Sequence, residues 1–179
     1  MAPLDHVSTG KGDDGTTGLP GGKRLAKDDS LLELLGDLDE LQSALGVARV
    51  EAYGTLKRRL WRLLNLVSRA AALVADVPQR RIEPGACPPV SEMEREQAEM
   101  VAGLRAPQTF VVPGANRLEA ALHVARTVCR RSERHLVSAA RHRPDAGLEG
   151  LFPFMNRTSD YLFVLALSAD PERGSTDTA

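Results

Sequence analysis

The stretch SLLELLGDLDELQSALGVARV, residues 30–50, decides the fold class. Its apolar residues Leu31, Leu34, Leu35, Leu38, Leu41, Leu45 and Val47 recur at the spacing that gathers side chains on one face of an α-helix. Ser30, whose hydroxyl can accept from a free N–H of the first turn, reads as the N-cap. The same pattern continues outward. A second helix is predicted over about residues 55–75, with Leu56, Leu60, Leu63, Leu64, Val67 and Ala71 on one side and Pro78 ending it. After a linker over residues 79–89, Ser91 and Glu94 form a capping-box pattern for a short helix to about Leu104. Asn116 and Glu119 make a similar start, with Asn in place of Ser or Thr, for the longest helix, which reaches about Arg141 before Pro144 and Gly147 end it. A last helix is predicted over about residues 149–169, with Pro153 in its first turn or at a kink and Leu162, Phe163, Leu165 and Ala166 as buried candidates.

Five helices with short connections favour an all-α, antiparallel bundle, and composition agrees. Aromatic residues are only 4% of the 179, poor material for sheets, while Leu, Ala, Arg and Glu are abundant. The length suits one domain: residues 29–169 form the bundle, 1–28 an N-terminal loop and 170–179 a polar, frayed tail. A net charge of -1 offers no global field for nucleic acid or an anionic membrane, so any anion site must be local. No apolar run approaches the ~20 residues of a membrane helix, and the first residues lack the charged start and apolar core of a leader. Cys87 and Cys129 lie far apart, outside any zinc or redox spacing, and a reducing cytoplasm is the natural compartment. His6, His123, His135 and His142 form no pair four residues apart, so a metal cluster is not expected, and His123 reads as a packed or hydrogen-bonded bundle residue.

Chemistry has four candidate places, each with a bland alternative. The segment Thr9-Gly10-Lys11-Gly12-Asp13-Asp14-Gly15-Thr16-Thr17-Gly18 lacks apolar periodicity and reads as a loop. Its glycines would let N–H groups converge on phosphate oxygens, with Thr hydroxyls, Lys11, Lys23, Arg24 and Lys27 as further donors. It is not a Walker loop, because Gly22-Lys23 is followed by Arg24; by composition alone it reads as a flexible terminal arm. On the fourth helix Arg126, Arg130 and Arg134 form one stripe, with Glu133 three residues after Arg130. Three like charges in a row repel one another, so the stripe is either a solvated face or the seat of an anion. Asn156-Arg157-Thr158-Ser159-Asp160 and the pair Asp39 and Ser43 are polar helix faces or parts of a site.

Taken in order, these segments resemble the PduO-type cob(I)alamin adenosyltransferase family over roughly residues 7–167. Thr9 to Leu19 is similar to the family's Thr-x-Thr-Gly-Asp-x-Gly-x-Thr phosphate loop, and the stretch from Gly21 to Asp29 to the Gly-Gly-x-Arg-x-x-Lys-Asp that follows it. Gly36-Asp37-Leu38-Asp39-Glu40-Leu41-Gln42-Ser43 is similar to Gly-x-x-Asp-Glu-Leu-Asn-Ser. The most diagnostic stretch is Phe110-Val111-Val112-Pro113-Gly114 followed by the run from Ala121 to Arg134, and Asn156-Arg157-Thr158-Ser159-Asp160-Tyr161-Leu162-Phe163 resembles the closing motif. Departures are Lys11 for Thr, Asp14 for Lys, Leu34-Leu35 for Ala-Tyr, Gln42 for Asn, the altered Asn65–Arg69 stretch, and Leu167 for Arg; the last two bear on packing between subunits.

The resemblance implies a ferritin-like five-helix bundle assembled as a homotrimer, with active sites between subunits. The implied activity is transfer of the 5′-deoxyadenosyl group of ATP to the cobalt of a corrinoid, with release of triphosphate. A non-catalytic corrinoid and ATP carrier or sensor is the alternative. By residue-wise transfer, Thr9, Gly10, Lys11, Gly12, Thr17, Gly18 and Lys27 would hold the triphosphate, with Arg130, Arg131, Glu133, Arg134 and Asn156 completing the ATP site and Glu133 a candidate for Mg²⁺. Phe110 would lie under the corrin ring, Asp39 would pair with Arg126 across the interface, and Arg130 would act on the departing triphosphate. Implied partners are a cob(II)alamin reductase and an adenosylcobalamin-dependent acceptor enzyme.

Overall fold

The structure, a computed structural model, describes residues 9–171; the opening of the N-terminal segment with His6, and the tail from residue 172, lie outside the described residues. Five helices dominate: α1 (Ser30–Glu51), α2 (Gly54–Asp76), α3 (Ser91–Ala102), α4 (Arg117–His142) and α5 (Phe152–Ala169). Helix α4 is central and packs against both α1 and α5, while α2 lies along α1 and α3 along α5. Only Ala52 and Tyr53 separate α1 from α2, and so short a link between packed helices makes them antiparallel.

The periodic leucines of α1 build the core. Leu31, Leu34, Leu38, Leu41 and Leu45 are each no more than 1% exposed, and each contributes roughly 2 kcal/mol of apolar burial. Val47 departs from the expected stripe: it is 61% exposed, and Ala48 continues the buried face. The cap also moves by one residue, since Asp29 Oδ1 accepts from Leu31 N at 2.9 Å and Ser30 is already inside the helix. The second Asp29 oxygen takes the Arg143 guanidinium at 2.6 Å, tying the start of α1 to the end of α4.

The expected capping box of α3 does not form. Val90 occupies the cap position without a side-chain bond, and Glu94 accepts instead from Arg157 Nε at 2.8 Å. What holds α3 is Glu96, buried where α2, α3 and α5 meet: its Oε2 accepts from Arg62 at 2.5 Å and from the Tyr161 hydroxyl, with Arg59 Nε 3.4 Å away. Burial alone would raise the Glu96 carboxyl, but the bonds from Tyr161 and Arg62 outweigh it and hold it below the usual range. The Tyr161 hydroxyl is pushed up by burial and by that carboxylate.

A 3₁₀ turn over Leu148–Leu151 precedes α5, so the α-helix proper begins three residues later than the expected 149, with Pro153 in its first turn. Before that turn Gly147 has φ +74°, and a Cβ there would run into the Ile82 carbonyl. The linker thereby crosses the α4–α5 corner closely enough for Ile82 N to donate to Ala146 O at 2.8 Å. Leu167, at the family's arginine position, is buried, whereas Phe163 is only half-buried, contrary to expectation.

Within residues 9–28 the chain is more ordered than the expected loop. Strands β1 (Thr16–Gly18) and β2 (Arg24–Ala26) pair antiparallel, with Thr17 opposite Leu25. Two side-chain bonds fasten the hairpin to the end of α2: Lys23 Nζ donates to Pro78 O at 2.6 Å, and Gln79 Nε2 to Pro20 O at 2.7 Å. Among the described residues no helix is long and apolar enough to cross a membrane.

Candidate active site

Around the hairpin, tight turns fold the chain over itself. Asp13 N donates to Gly10 O at 3.1 Å and Gly15 N to Gly12 O at 3.3 Å, with Gly10 and Gly15 at φ +68° and +79°. Arg24 clamps the turn from the second strand, donating from Nε to Thr16 Oγ1 at 2.9 Å and from Nη2 to Lys11 O at 2.5 Å. Asp14 closes the clamp, and its carboxyl is lowered chiefly by the hydroxyl and N–H bonds from Thr16, then by Arg24. Arg24 and Asp14 therefore shape the turn, while Thr9, Gly10, Lys11, Gly18 and Lys27 stay exposed and Gly12 and Thr17 are half-buried. A Cβ on Gly12 would sit 3.3 Å from Lys27 Nζ, so the lysine ammonium lies over the Gly12 backbone. Glycine N–H groups and a cation are thus together, a combination suited to a polyphosphate.

On α4 the stripe divides. Arg130 and Arg134 are exposed; Arg134 Nη1 donates to Arg130 O at 3.0 Å, and the Arg130 guanidinium has no bond within the chain among the described residues. Glu133 lies beside them, its Oε1 3.4 Å from Asn156 Nδ2, and Asn156 Oδ1 accepts from Arg157 at 2.8 Å. One half-buried carboxylate suits a Mg²⁺ that takes its other ligands from phosphate and water. Arg131 turns the other way. Its Nε donates to Asp37 Oδ1 at 2.9 Å and its Nη2 to Glu40, so it bridges α4 to α1, with His135 Nδ1 2.6 Å from the other Asp37 oxygen. Cys129, adjacent to the stripe, is no nucleophile: burial pushes its thiol far up.

Arg126 and Phe110 come together around a cavity of about 620 Å³, lined also by Val111, His123 and Phe163. Phe110 is 100% exposed, a side chain that folding alone gives no reason to leave in water. The Arg126 guanidinium carbon lies 6.0 Å from the Phe163 ring centre, and its Nε donates to His123 Nδ1 at 3.2 Å. Asp39 is not there: it is exposed on α1 and makes no hydrogen bond or ion pair among the described residues. Nor does any hydrogen bond join the hairpin to the arginine stripe within one chain, among the described residues. Sequence reading missed Glu119, whose carboxylate sits between the Phe110 segment and His123; the spacing Glu119-x-x-x-His123-x-x-Arg126 was the available signal.

Known proteins resemble this chain in sequence and fold over nearly its whole length. The cobalamin adenosyltransferase family profile matches residues 7–169. The corrinoid adenosyltransferase of Mycobacterium tuberculosis is 35% identical over 177 residues, covering 94% of this chain and 91% of that one. That of Homo sapiens is 31% identical over 187 residues, covering 97% and 72%. A phenylalanine-to-histidine variant of the PduO-type ATP:corrinoid adenosyltransferase from Lactobacillus reuteri, complexed with cobalamin and ATP, superposes with a TM-score of 0.82 at 27% identity and covers 94% of both chains. Because the match runs from the head of the glycine-rich segment to the last turn of α5, this chain belongs to the cobalamin adenosyltransferase family.

Proposed function

We propose that this protein transfers the 5′-deoxyadenosyl group of ATP to the cobalt of a corrinoid. The observation that carries the reading is Phe110, wholly exposed at the rim of the cavity that also holds Arg126, in a chain whose full bundle matches the family. In this reaction the Co(I) electron pair attacks the 5′ carbon, the carbon–oxygen bond to the triphosphate breaks, and a cobalt–carbon bond forms. The chain's part is to hold the two reactants in line and to stabilise the departing charge. Phe110 would lie under the corrin ring and exclude a lower axial ligand. Thr9, Gly10, Lys11, Gly12, Thr17, Gly18 and Lys27 would cradle the triphosphate, and Arg130 and Arg134 would meet it with Glu133 and Asn156 beside Mg²⁺. Arg131, held by Asp37 and Glu40, would fix α4 against α1 behind that site.

Supporting an intersubunit site is the separation of these groups within one chain: among the described residues the hairpin and the stripe share no hydrogen bond, and neither the Asp39 nor the Arg126 side chain has an oppositely charged partner. A homotrimer that places Asp39 against a neighbour's Arg126 satisfies both. A cob(II)alamin reductase would supply the Co(I) substrate, an adenosylcobalamin-dependent enzyme would take the product, and the cytoplasm would be the setting. The test is a visible-absorbance assay of cob(I)alamin and ATP with the purified protein, coupled to triphosphate detection. Stoichiometric formation of the cobalt–carbon product and triphosphate is expected; binding of ATP and corrinoid without turnover would make the protein a carrier instead.

A further inference from the structure

We propose that His123 is a positioning residue for the corrinoid side of the reaction: it fixes the orientation of Arg126 and, through Glu119, couples that orientation to the backbone at Gly114 and Ala115, which ends the segment carrying Phe110. The inference rests on the reading that Phe110 and Arg126 meet the corrinoid. Its geometry is a chain of contacts. Gly114 N and Ala115 N, just beyond the Phe110 segment, donate to Glu119 Oε2 at 2.7 and 3.2 Å. Glu119 Oε1 lies 3.0 Å from His123 Nε2, off the line of the ring N–H, so the contact is electrostatic more than an aligned hydrogen bond. On the other side of the ring, Nδ1 accepts from Arg126 Nε at 3.2 Å.

An arginine Nε–H can only donate, so Nδ1 must be bare and the ring proton must sit on Nε2, facing the Glu119 carboxylate. Only the neutral Nε2–H tautomer serves both neighbours. Burial, against the pull of Glu119 and with the help of Arg126, holds the imidazole below its ordinary range and so keeps it neutral. Packing alone would ask only for a side chain of this volume. It would not ask for a bare Nδ1 turned toward the Arg126 guanidinium that lines the cavity, nor for a carboxylate 1% exposed on its other side. The ring's edge-on contact with Phe163, 6.1 Å between centres, fixes its plane and therefore the direction of the Nδ1 lone pair.

Three variants separate the halves of the chain of contacts. His123→Asn keeps an acceptor near the Nδ1 position and loses the reach to Glu119; His123→Gln keeps a donor near Nε2 and loses the Arg126 acceptor; His123→Leu loses both. The corrinoid KM is expected to rise on the order of tenfold for His123→Leu and His123→Gln and to stay within about threefold for His123→Asn, with the ATP KM within about twofold throughout. Equal impairment of His123→Asn and His123→Leu, or a parallel rise of both KM values, would overturn the proposal. Independently of any variant's folding, ¹⁵N–¹H correlation spectra of histidine-labelled wild-type protein should show the Nε2–H tautomer at neutral pH; an Nδ1–H ring or an imidazolium would overturn it. Phe110→Ala serves as the control for the underlying reading. If it raises the corrinoid KM while His123→Leu does not, only the positioning role fails; if it leaves that KM unchanged, the corrinoid placement fails and the proposal with it.

Discussion

Arg130 and Arg131 are adjacent in sequence and opposite in circumstance. Arg131 is spoken for by Asp37 and Glu40, whereas Arg130 is exposed and unpaired among the described residues, beside two further arginines on its stripe. Arg130→Ala is expected to lower kcat/KM by at least about 100-fold, ~3 kcal/mol of lost stabilisation of departing charge, with the melting temperature nearly unmoved. A loss under about fivefold in steady-state assays would return Arg130 to a solvated face. The sequence put both arginines at the ATP site, because the partners that turn Arg131 away lie on α1, more than ninety residues away. His123 carries a pH signature. It is faced by Glu119 and Arg126 from α4 and by the uncharged Phe163 from α5, and its folded-state value lies below the ordinary 6.5. A depressed histidine leaves the unfolded chain binding more protons in the window below 6.5, so stability falls as pH drops through that window and is intact above it. Urea titrations from pH 7.5 to 5 should show this slope, and it should be shallower in His123→Gln.

Among the elements, α3 depends on one buried carboxylate more than on its own sequence. Arg62→Ala would leave Glu96 with Tyr161 and the more distant Arg59, and the expected cost is about 2 kcal/mol, below that of a fully buried pair because Arg62 is a third exposed. Urea unfolding measures it, and a change under about 0.5 kcal/mol would show that α3 is held by packing alone. Helix existence was legible throughout, because each long helix repeats an apolar face that only a bundle can bury. Helix ends were less so: Ser30 and Asp29 are both good caps, and only the backbone path chooses Asp29; Ser91 and Glu94 have the right spacing, but Arg157 claims Glu94. The hairpin was illegible because strands of three residues are too short to show alternation, and it is fastened by Lys23 reaching to Pro78 and by Gln79, just past α2, reaching back to Pro20.

At the scale of the whole molecule, the separated pieces of the site argue for assembly. Asp39 and Arg126 are expected to pair between subunits, and removing one member of such a buried pair typically costs ~3–5 kcal/mol. Asp39→Asn and Arg126→Ala should each weaken the proposed trimer or corrinoid binding, with the double variant less harmful than the sum of the two. Strict additivity in sedimentation and kinetic measurements, with every variant still trimeric, would show that the residues do not meet. The site's residue types were readable from the chain, but their division between surfaces was not, since a single sequence does not say which exposed charge waits for a neighbour. The Phe110 segment has a consequence of another kind. An aromatic side chain in full solvent exposure, on irregular backbone between α3 and α4, is a substrate for proteases that cut after aromatic residues. Chymotrypsin should nick the apoprotein after Phe110, and saturating corrinoid should slow that cut by at least about tenfold while leaving any cut after the exposed Tyr53 between α1 and α2 unchanged, the fraction left open under saturation setting the residual rate. The ring that meets the substrate would then double as a built-in footprint of occupancy, readable on a gel without any measurement of turnover.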